Sequence, residues 1–153
     1  VRENLARLGL DGPRVAVVRG DAAEPERWWD GRPYDRILAD VPCTASGVTR
    51  RHPDIKWLRR KSDVAAFART QAAILDALWR VLRPGGTLLY STCSVFPAEN
   101  VAQVDAFRAR HADVAPPAPL AAATISSELP PDGRILPDAF HDGFFYALLV
   151  KQG

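Results

Sequence analysis

No apolar run among the 153 residues approaches the roughly 20 that a bilayer span needs, and the opening VRENLARLGL is a charged amphipathic stretch rather than a secretory leader. The expectation is a soluble, cytoplasmic chain. Cysteine is scarce: there are two, Cys43 and Cys93, with no CxxC pair, which argues against a disulfide framework and against a zinc site. What remains is buried thiols or working thiols. An excess of one charge is missing as well, since 20 Lys and Arg face 18 Asp and Glu. A net charge of +2 does not by itself point to nucleic acid, so any such argument must rest on where the charge sits. There is no internal repeat and no low-complexity tract beyond a mild Ala/Pro bias. With 47% apolar and 25% charged residues, the composition is that of one globular domain or part of one.

What is present reads as alternating elements. Residues 1–9 form the end of a helix with Leu5 and Leu8 on one side and Gly9 as a stop. Arg14–Arg19, RVAVVR, is a β-branched run and is expected to be a buried strand, with Asp21 just past its end. Pro25, the pair Trp28-Trp29, Gly31 and Pro33 make 22–33 a connector. Tyr34–Ala39 is the next strand and ends on Asp40. After a loop through Pro53 comes a short basic helical turn, and then a long helix for which Ser62 is the expected N-cap. Val64, Phe67, Ile74, Leu75, Leu78 and Leu82 share its apolar face, and Arg83-Pro84-Gly85-Gly86 stops it. Thr87–Thr92 is a strand, Pro97 opens a helix running to about Arg110, and Phe144–Lys151 is the last strand. Six prolines between 115 and 140 predict an irregular excursion there.

This order predicts an α/β sheet, mostly parallel, whose ligands bind beyond the carboxyl ends of the strands. Asp21, Asp40, Cys43 and Cys93 all fall at such ends. Taken singly, a strand-end Asp is a cap and a lone Cys is a small hydrophobe; as a set they point to a site. A thiol acts as a nucleophile only when ionised, which needs a cation, a helix N-terminus or a base nearby. Cys93 precedes the helix that starts near Pro97, and Cys43 has Arg50 and Arg51 close in sequence. A cysteine hydrolase would need a histidine partner, and His52, His111 and His141 carry no family signature.

The segment Thr49–Lys61 concentrates Arg50, Arg51, Lys56, Arg59, Arg60 and Lys61 against Asp54 alone. Such a cluster fits phosphate contact, although most charge runs are simply solvated helix faces. Trp57, interleaved with it, is either a platform for a splayed base or part of the core.

The segment DVPCTASGVTRRHPDIKWLRR, the YSTCS at 90–94 and the closing HDGFFYALLVK resemble the RNA cytosine-C5 methyltransferase family, and the RRHPDIKWL run resembles its bacterial 16S rRNA branch, the Fmu/Sun group. The likeness covers essentially the whole chain. It implies a partial class I S-adenosylmethionine-dependent methyltransferase sheet, Rossmann-like, with an antiparallel last strand. It further implies methylation of C5 of a 16S rRNA cytosine that is single-stranded or flipped out of its stack, without metal or membrane. By the TCS motif Cys93 would add to C6 of the base. By the PC motif Cys43 would assist release. Asp40 would hold the cytosine edge or lie beside the methyl end of S-adenosyl-L-methionine, with Asp21 on its adenosine portion and Pro42 alongside. The RNA contacts would come from Arg50, Arg51, His52, Lys56 and Trp57. DNA cytosine methyltransferases also carry a Pro-Cys pair, there as nucleophile, but the second thiol in TCS argues for the RNA family.

The family's Gly-rich cofactor loop after the first strand has no counterpart here. Residues 1–153 are therefore expected to be the carboxyl-terminal portion of a longer catalytic domain, with the first strands outside this chain and no activity on its own. The alternative from a different class is an RNA-contacting fragment or scaffold that does not catalyse.

Overall fold

The computed structural model describes residues 1–116, 130 and 132–153. Of the expected Pro-rich excursion at 115–140, residues 117–129 and 131 therefore lie outside the described residues. The element order is α1 (Arg2–Arg7), β1 (Tyr34–Asp40), α2 (Ile55–Leu58), α3 (Lys61–Val81), β2 (Leu82–Thr92), α4 (Val101–Arg110), β3 (Arg134–Ile135) and β4 (Phe144–Val150). Single 3-10 turns at Pro25–Arg27, Ser46–Val48 and Pro97–Glu99 interrupt the loops.

The long helix forms because its apolar stripe recurs at helical spacing, burying Gln71, Ile74, Leu75 and Leu78. Its start differs from the expected Ser62 cap. The helix begins at Lys61, and the Asp63 carboxylate reaches back to accept the Arg60 N–H at 2.9 Å. A carboxylate at the third position satisfies an orphan donor of the first turn and complements the helix dipole, so it displaces the serine hydroxyl. At the other end Lys151 Nζ donates to the carbonyls of Trp79 and Leu82 at 2.8 and 3.0 Å, covering acceptors that the terminus leaves open. The chain then turns directly into β2, with Gly85 in the left-handed region at φ +72°.

The strands order as β1-β2-β4-β3. β1 runs parallel to β2, whereas β4 pairs antiparallel with β2 and β3 antiparallel with β4, so the sheet is mixed. Alternation along β2 sends Leu88 and Tyr90 into the core, where α3 and α4 cover them. Phe145 and Leu149 of β4 join the same face, and Trp79 meets Phe107 edge-to-face at 5.3 Å. The Trp79 indole N–H, which could not be left bare in this core, donates to the Asp113 carboxylate at 3.0 Å.

One expected strand is absent. Residues 15–20 join no ladder among the described residues, and Val15 and Val18 stay exposed. The physical reason is the lack of a backbone partner: a cleft of about 520 Å³ separates this β-branched run from β1, with Ala16, Val18 and Gly20 on one wall and Tyr34, Ile37 and Leu38 on the other. Among the described residues β1 is accordingly an open edge, and Leu38 is 68% exposed. Among the described residues no helix is long and apolar enough to cross a membrane.

Phe107 is fully buried where α4 meets the sheet and α3. Phe107→Ala should cost about 3–5 kcal/mol of stability, read as a lower midpoint in chemical denaturation.

Candidate active site

Parallel pairing sets Asp40 opposite Ser91. β1 ends there and β2 one residue later, and Val41 N–H still donates to Ser91 O at 3.2 Å. The chain then needs few further residues on either side to bring Cys43 and Cys93 together, and their Sγ atoms lie 3.4 Å apart. The Cys43 loop is folded back by Ala45, a non-glycine in the left-handed region at φ +59°, at a cost of about 1–2 kcal/mol. That turn lets Gly47 N–H donate to Cys93 O at 2.8 Å and Ser46 Oγ accept from Val95 N–H at 3.0 Å. Gly143 N–H in turn donates to Gly47 O at 2.8 Å. A Cβ at Gly47 would stand 2.3 Å from Gly143 O and 2.9 Å from Cys93 O, so only glycine admits this approach.

The two thiols titrate as a pair. The hydrogen bond from Cys93 pulls the Cys43 thiol down to about 7, with backbone donors helping and burial opposing. Cys93 is pushed up by that same bond, by burial and by the negative charges of Cys43 and Asp40. Above about pH 7 the pair therefore holds one shared proton. These causes differ from those expected. The Arg50 and Arg51 guanidiniums bond to the 138–142 segment, and the segment after Cys93 forms a 3-10 turn before α4 starts at Val101. No hydrogen bond or ion pair joins His52, His111 or His141 to either thiol among the described residues; His111 meets Asp76 and His141 meets Asp138.

Beneath the thiols lies a polar network that the sequence reading did not single out. Glu99, fully buried, accepts at one oxygen from Thr44 N–H at 2.9 Å and Gln71 Nε2 at 3.1 Å. Its other oxygen accepts from the hydroxyls of Thr44 and Ser94, both at 2.6 Å. Gln71 Nε2 also donates to Pro42 O at 2.9 Å, and Tyr90 Oη donates to Glu99 O at 2.7 Å. Burial and the charges of Glu99 and Cys43 push the Tyr90 hydroxyl up, so it remains a donor. The sequence signal was a hydroxyl residue directly after each cysteine and a Glu-Asn pair opening the next helix.

The expected cofactor residues lie around the cleft. Asp40 and Pro42 line its end, and Asp21 sits between the lining residues Gly20 and Ala22. Asp21 accepts one bond, from Ala23 N–H at 2.9 Å, and Asp40 accepts one, from Ser91 Oγ at 3.3 Å. Both carboxylates are exposed with acceptor capacity left over, which fits the hydroxyl and ammonium donors of S-adenosyl-L-methionine.

The expected RNA residues divide. Arg50 donates to the carbonyls of Asp138 and Ala139 at 3.0 and 2.9 Å, and Arg51 pairs with the buried Asp142. These two arginines clamp the 138–142 loop onto the Cys43 loop. His52, Lys56 and Trp57 are exposed, Trp57 by 88%, which removes the core reading of that indole. Arg59 turns inward, its Nε donating to Thr44 O at 3.0 Å.

The family model described as 16S rRNA methyltransferase RsmB/F matches residues 1–150. The chain is 54% identical over 154 residues to the ribosomal RNA small subunit methyltransferase B of Vibrio vulnificus, covering 99% of this chain and 34% of that protein. To the protein of the same name from Pseudomonas syringae pv. tomato it is 49% identical over 158 residues, with the same shares covered. The chain thus spans about a third of the length of these curated relatives. Among solved structures it is similar to NSun6 from Pyrococcus horikoshii with SFG, at a TM-score of 0.78, 33% identity and coverage of 99% of this chain and 38% of that one. It is also similar to a methyltransferase homolog protein from Pyrococcus horikoshii, at a TM-score of 0.74, 30% identity and coverage of 98% and 48%.

Removing the Cys93 donor should release Cys43. In Cys93→Ala the pH midpoint of Cys43 alkylation by iodoacetamide should rise from about 7 toward the ordinary 9.0. A midpoint that stays near 7 would show that the thiol contact is not what lowers it.

Proposed function

We propose, from the premise that this chain belongs to the 16S rRNA methyltransferase RsmB/F family, that its two thiols serve the S-adenosyl-L-methionine-dependent methylation of C5 of a cytosine in 16S rRNA. In this reading residues 1–153 are the carboxyl-terminal portion of a longer methyltransferase catalytic domain. The observation that supports it is the 3.4 Å contact of Cys43 Sγ with Cys93 Sγ at the carboxyl ends of two parallel strands, with Asp40 alongside.

C5 of cytosine is a poor nucleophile. Cys93 makes it reactive by adding its sulfur to C6, which forms the S–C6 bond and shifts the ring electrons toward C5. As Cys93 attacks, its proton moves to the Cys43 thiolate across their hydrogen bond. When bound, S-adenosyl-L-methionine supplies the methyl group that C5 takes up. Cys43, having passed its proton to water, removes the remaining proton from C5; the C5–C6 double bond re-forms and Cys93 leaves as thiolate. Asp40 and Asp21 hold donors of cofactor or base, with Pro42 alongside. Attack on C6 requires access to the face of the ring, so the substrate is a single-stranded or flipped cytosine. Trp57 offers a stacking surface for a neighbouring base, with His52 and Lys56 beside it in sequence on the phosphates.

In the full-length methyltransferase containing this chain, Cys93→Ala should abolish both methyl transfer and covalent protein-RNA adduct. Cys43→Ala should accumulate the adduct, seen as an RNA-shifted band on a denaturing gel; normal turnover without adduct would reverse or remove the assigned roles. The second reading, a non-catalytic RNA-contacting scaffold, draws on the apolar cleft beside β1, where Val18 and Leu38 line what would be cofactor-proximal space. It predicts no methyl transfer even from the unmodified protein.

Trp57→Ala should weaken RNA binding by about 1–3 kcal/mol, by the usual worth of one stacked base. The denaturation midpoint should not move, because the indole contributes almost nothing to the core.

A further inference from the structure

We propose that Glu99 is the positioning residue of the dithiol: its carboxylate holds Cys43 and Cys93 against each other by gripping the residue that follows each of them. The inference rests on the reading of the two thiols given above and concerns how they are kept in contact.

Glu99 has no solvent exposure and no ion-pair partner among the described residues. Four donors converge on its two oxygens: Thr44 N–H, Thr44 Oγ1, Ser94 Oγ and Gln71 Nε2. Four acceptor sites filled by four donors is the full complement of an ionised carboxylate. Two of those donors belong to the neighbour of Cys43 and one to the neighbour of Cys93. Gln71 adds the residue on the other side of Cys43, through Pro42 O. No regular secondary structure spans either cysteine, so both loops take their relative placement from this side chain together with the Gly47–Cys93, Ser46–Val95 and Ser46–Ser94 hydrogen bonds. Glu99 itself is fixed by the Tyr90 hydroxyl on its carbonyl and by the 3-10 turn that carries it.

Charge and position act on Cys43 in opposite directions, which makes the role testable. The negative charge of Glu99 raises the Cys43 thiol, whereas the contact with Cys93, which Glu99 maintains, lowers it and is the larger effect. Glu99→Gln keeps the size of the side chain but cannot accept from both Thr44 N–H and the two hydroxyls.

The experiment is the pH dependence of Cys43 alkylation by iodoacetamide, followed by mass spectrometry on the chain and on Glu99→Gln. The midpoint should rise from about 7 toward 9.0, slowing alkylation at pH 7 by up to roughly 50-fold. In the full-length enzyme kcat should fall by about 100-fold with KM for RNA unchanged. A midpoint that falls would mean that Glu99 acts only as a charge, and an unmoved midpoint that the network is merely structural; either overturns the proposal. If circular dichroism shows Glu99→Gln unfolded, Ser94→Ala, which removes one donor, should move the midpoint upward, and no movement there also overturns it. Alkylation needs neither RNA nor cofactor. An inactive wild-type enzyme with a shifted midpoint would therefore count against the methyltransferase chemistry alone, and intact activity with no shift against the positioning role alone.

Discussion

The register of β1 on β2 governs the rest of the structure. Asp40 lies opposite Ser91, and every contact at the carboxyl edge follows from that pairing. A slip of one residue would move the Cys43 loop by about 3.3 Å along the strand and turn the alternate face of β1 toward the core. The 3.4 Å thiol contact would not survive it. What prevents the slip is apolar burial rather than any group at the site. Leu88 and Tyr90 are fully buried against α3 and α4, and the same alternation turns the next residue, Ser91, toward Asp40. The reactive edge is thus positioned by the period-2 pattern of an ordinary strand.

Beyond the strand ends that pattern no longer acts, and hydrogen bonds take over. Burying a carboxylate costs several kcal/mol unless its lone pairs are filled, and a hydrogen bond to a charged group returns about 1.5–3 kcal/mol. Four donors offset that cost at Glu99, so the buried charge is compatible with a stable fold, and stability is one reason for the network. Its geometry gives another, since an apolar side chain of the same size could fill the space but could not fix two irregular loops. The Arg51–Asp142 pair does similar work one layer further out, tying the 138–142 segment to the loop that carries Cys43. Three loops distant in sequence become one rigid rim.

Local pattern was readable wherever a single element decided the outcome. The apolar stripe of α3, the last strand and the convergence of Asp40, Cys43 and Cys93 all followed from periodicity and breakers, whereas Arg83-Pro84-Gly85-Gly86, expected to stop α3, lies inside β2, which begins at Leu82. Context decided the rest. The run at 14–19 has every residue preference of a strand, yet a strand needs a neighbour and this one has none among the described residues. Ser62 is a sound cap in isolation, and Asp63 prevails because it can reach back to Arg60 N–H. The contacts of Arg50 and Arg51 with the 138–142 segment were not readable, because Asp142, far along the chain, carries nothing in sequence to mark it as their partner. Glu99 was overlooked for a related reason: the hydroxyl after each cysteine was a signal, but burial of a charge is a tertiary property, and its donors are scattered from Thr44 to Ser94.

A shared proton explains why the proposed reaction needs thiols at this separation. Nucleophile and base must be ionised at different moments, and two independent thiols of ordinary pKa would both be mostly neutral at pH 7. Coupled across one hydrogen bond, the first ionisation becomes easy and the second difficult, because the charges of Cys43 and Asp40 both oppose it at Cys93. The pair is then a monoanion over a broad pH range. In the proposed reaction the Cys93 proton crosses the 3.4 Å contact to Cys43 as Cys93 attacks C6, and Cys43 becomes the anion again once that proton has gone to water. A second negative charge would make Cys93 a better nucleophile but a poorer leaving group, trapping the adduct. The Asp40 charge acts in that direction, so in the proposed reaction departure of Cys93 is carried by Cys43, which takes up the C5 proton as the sulfur leaves.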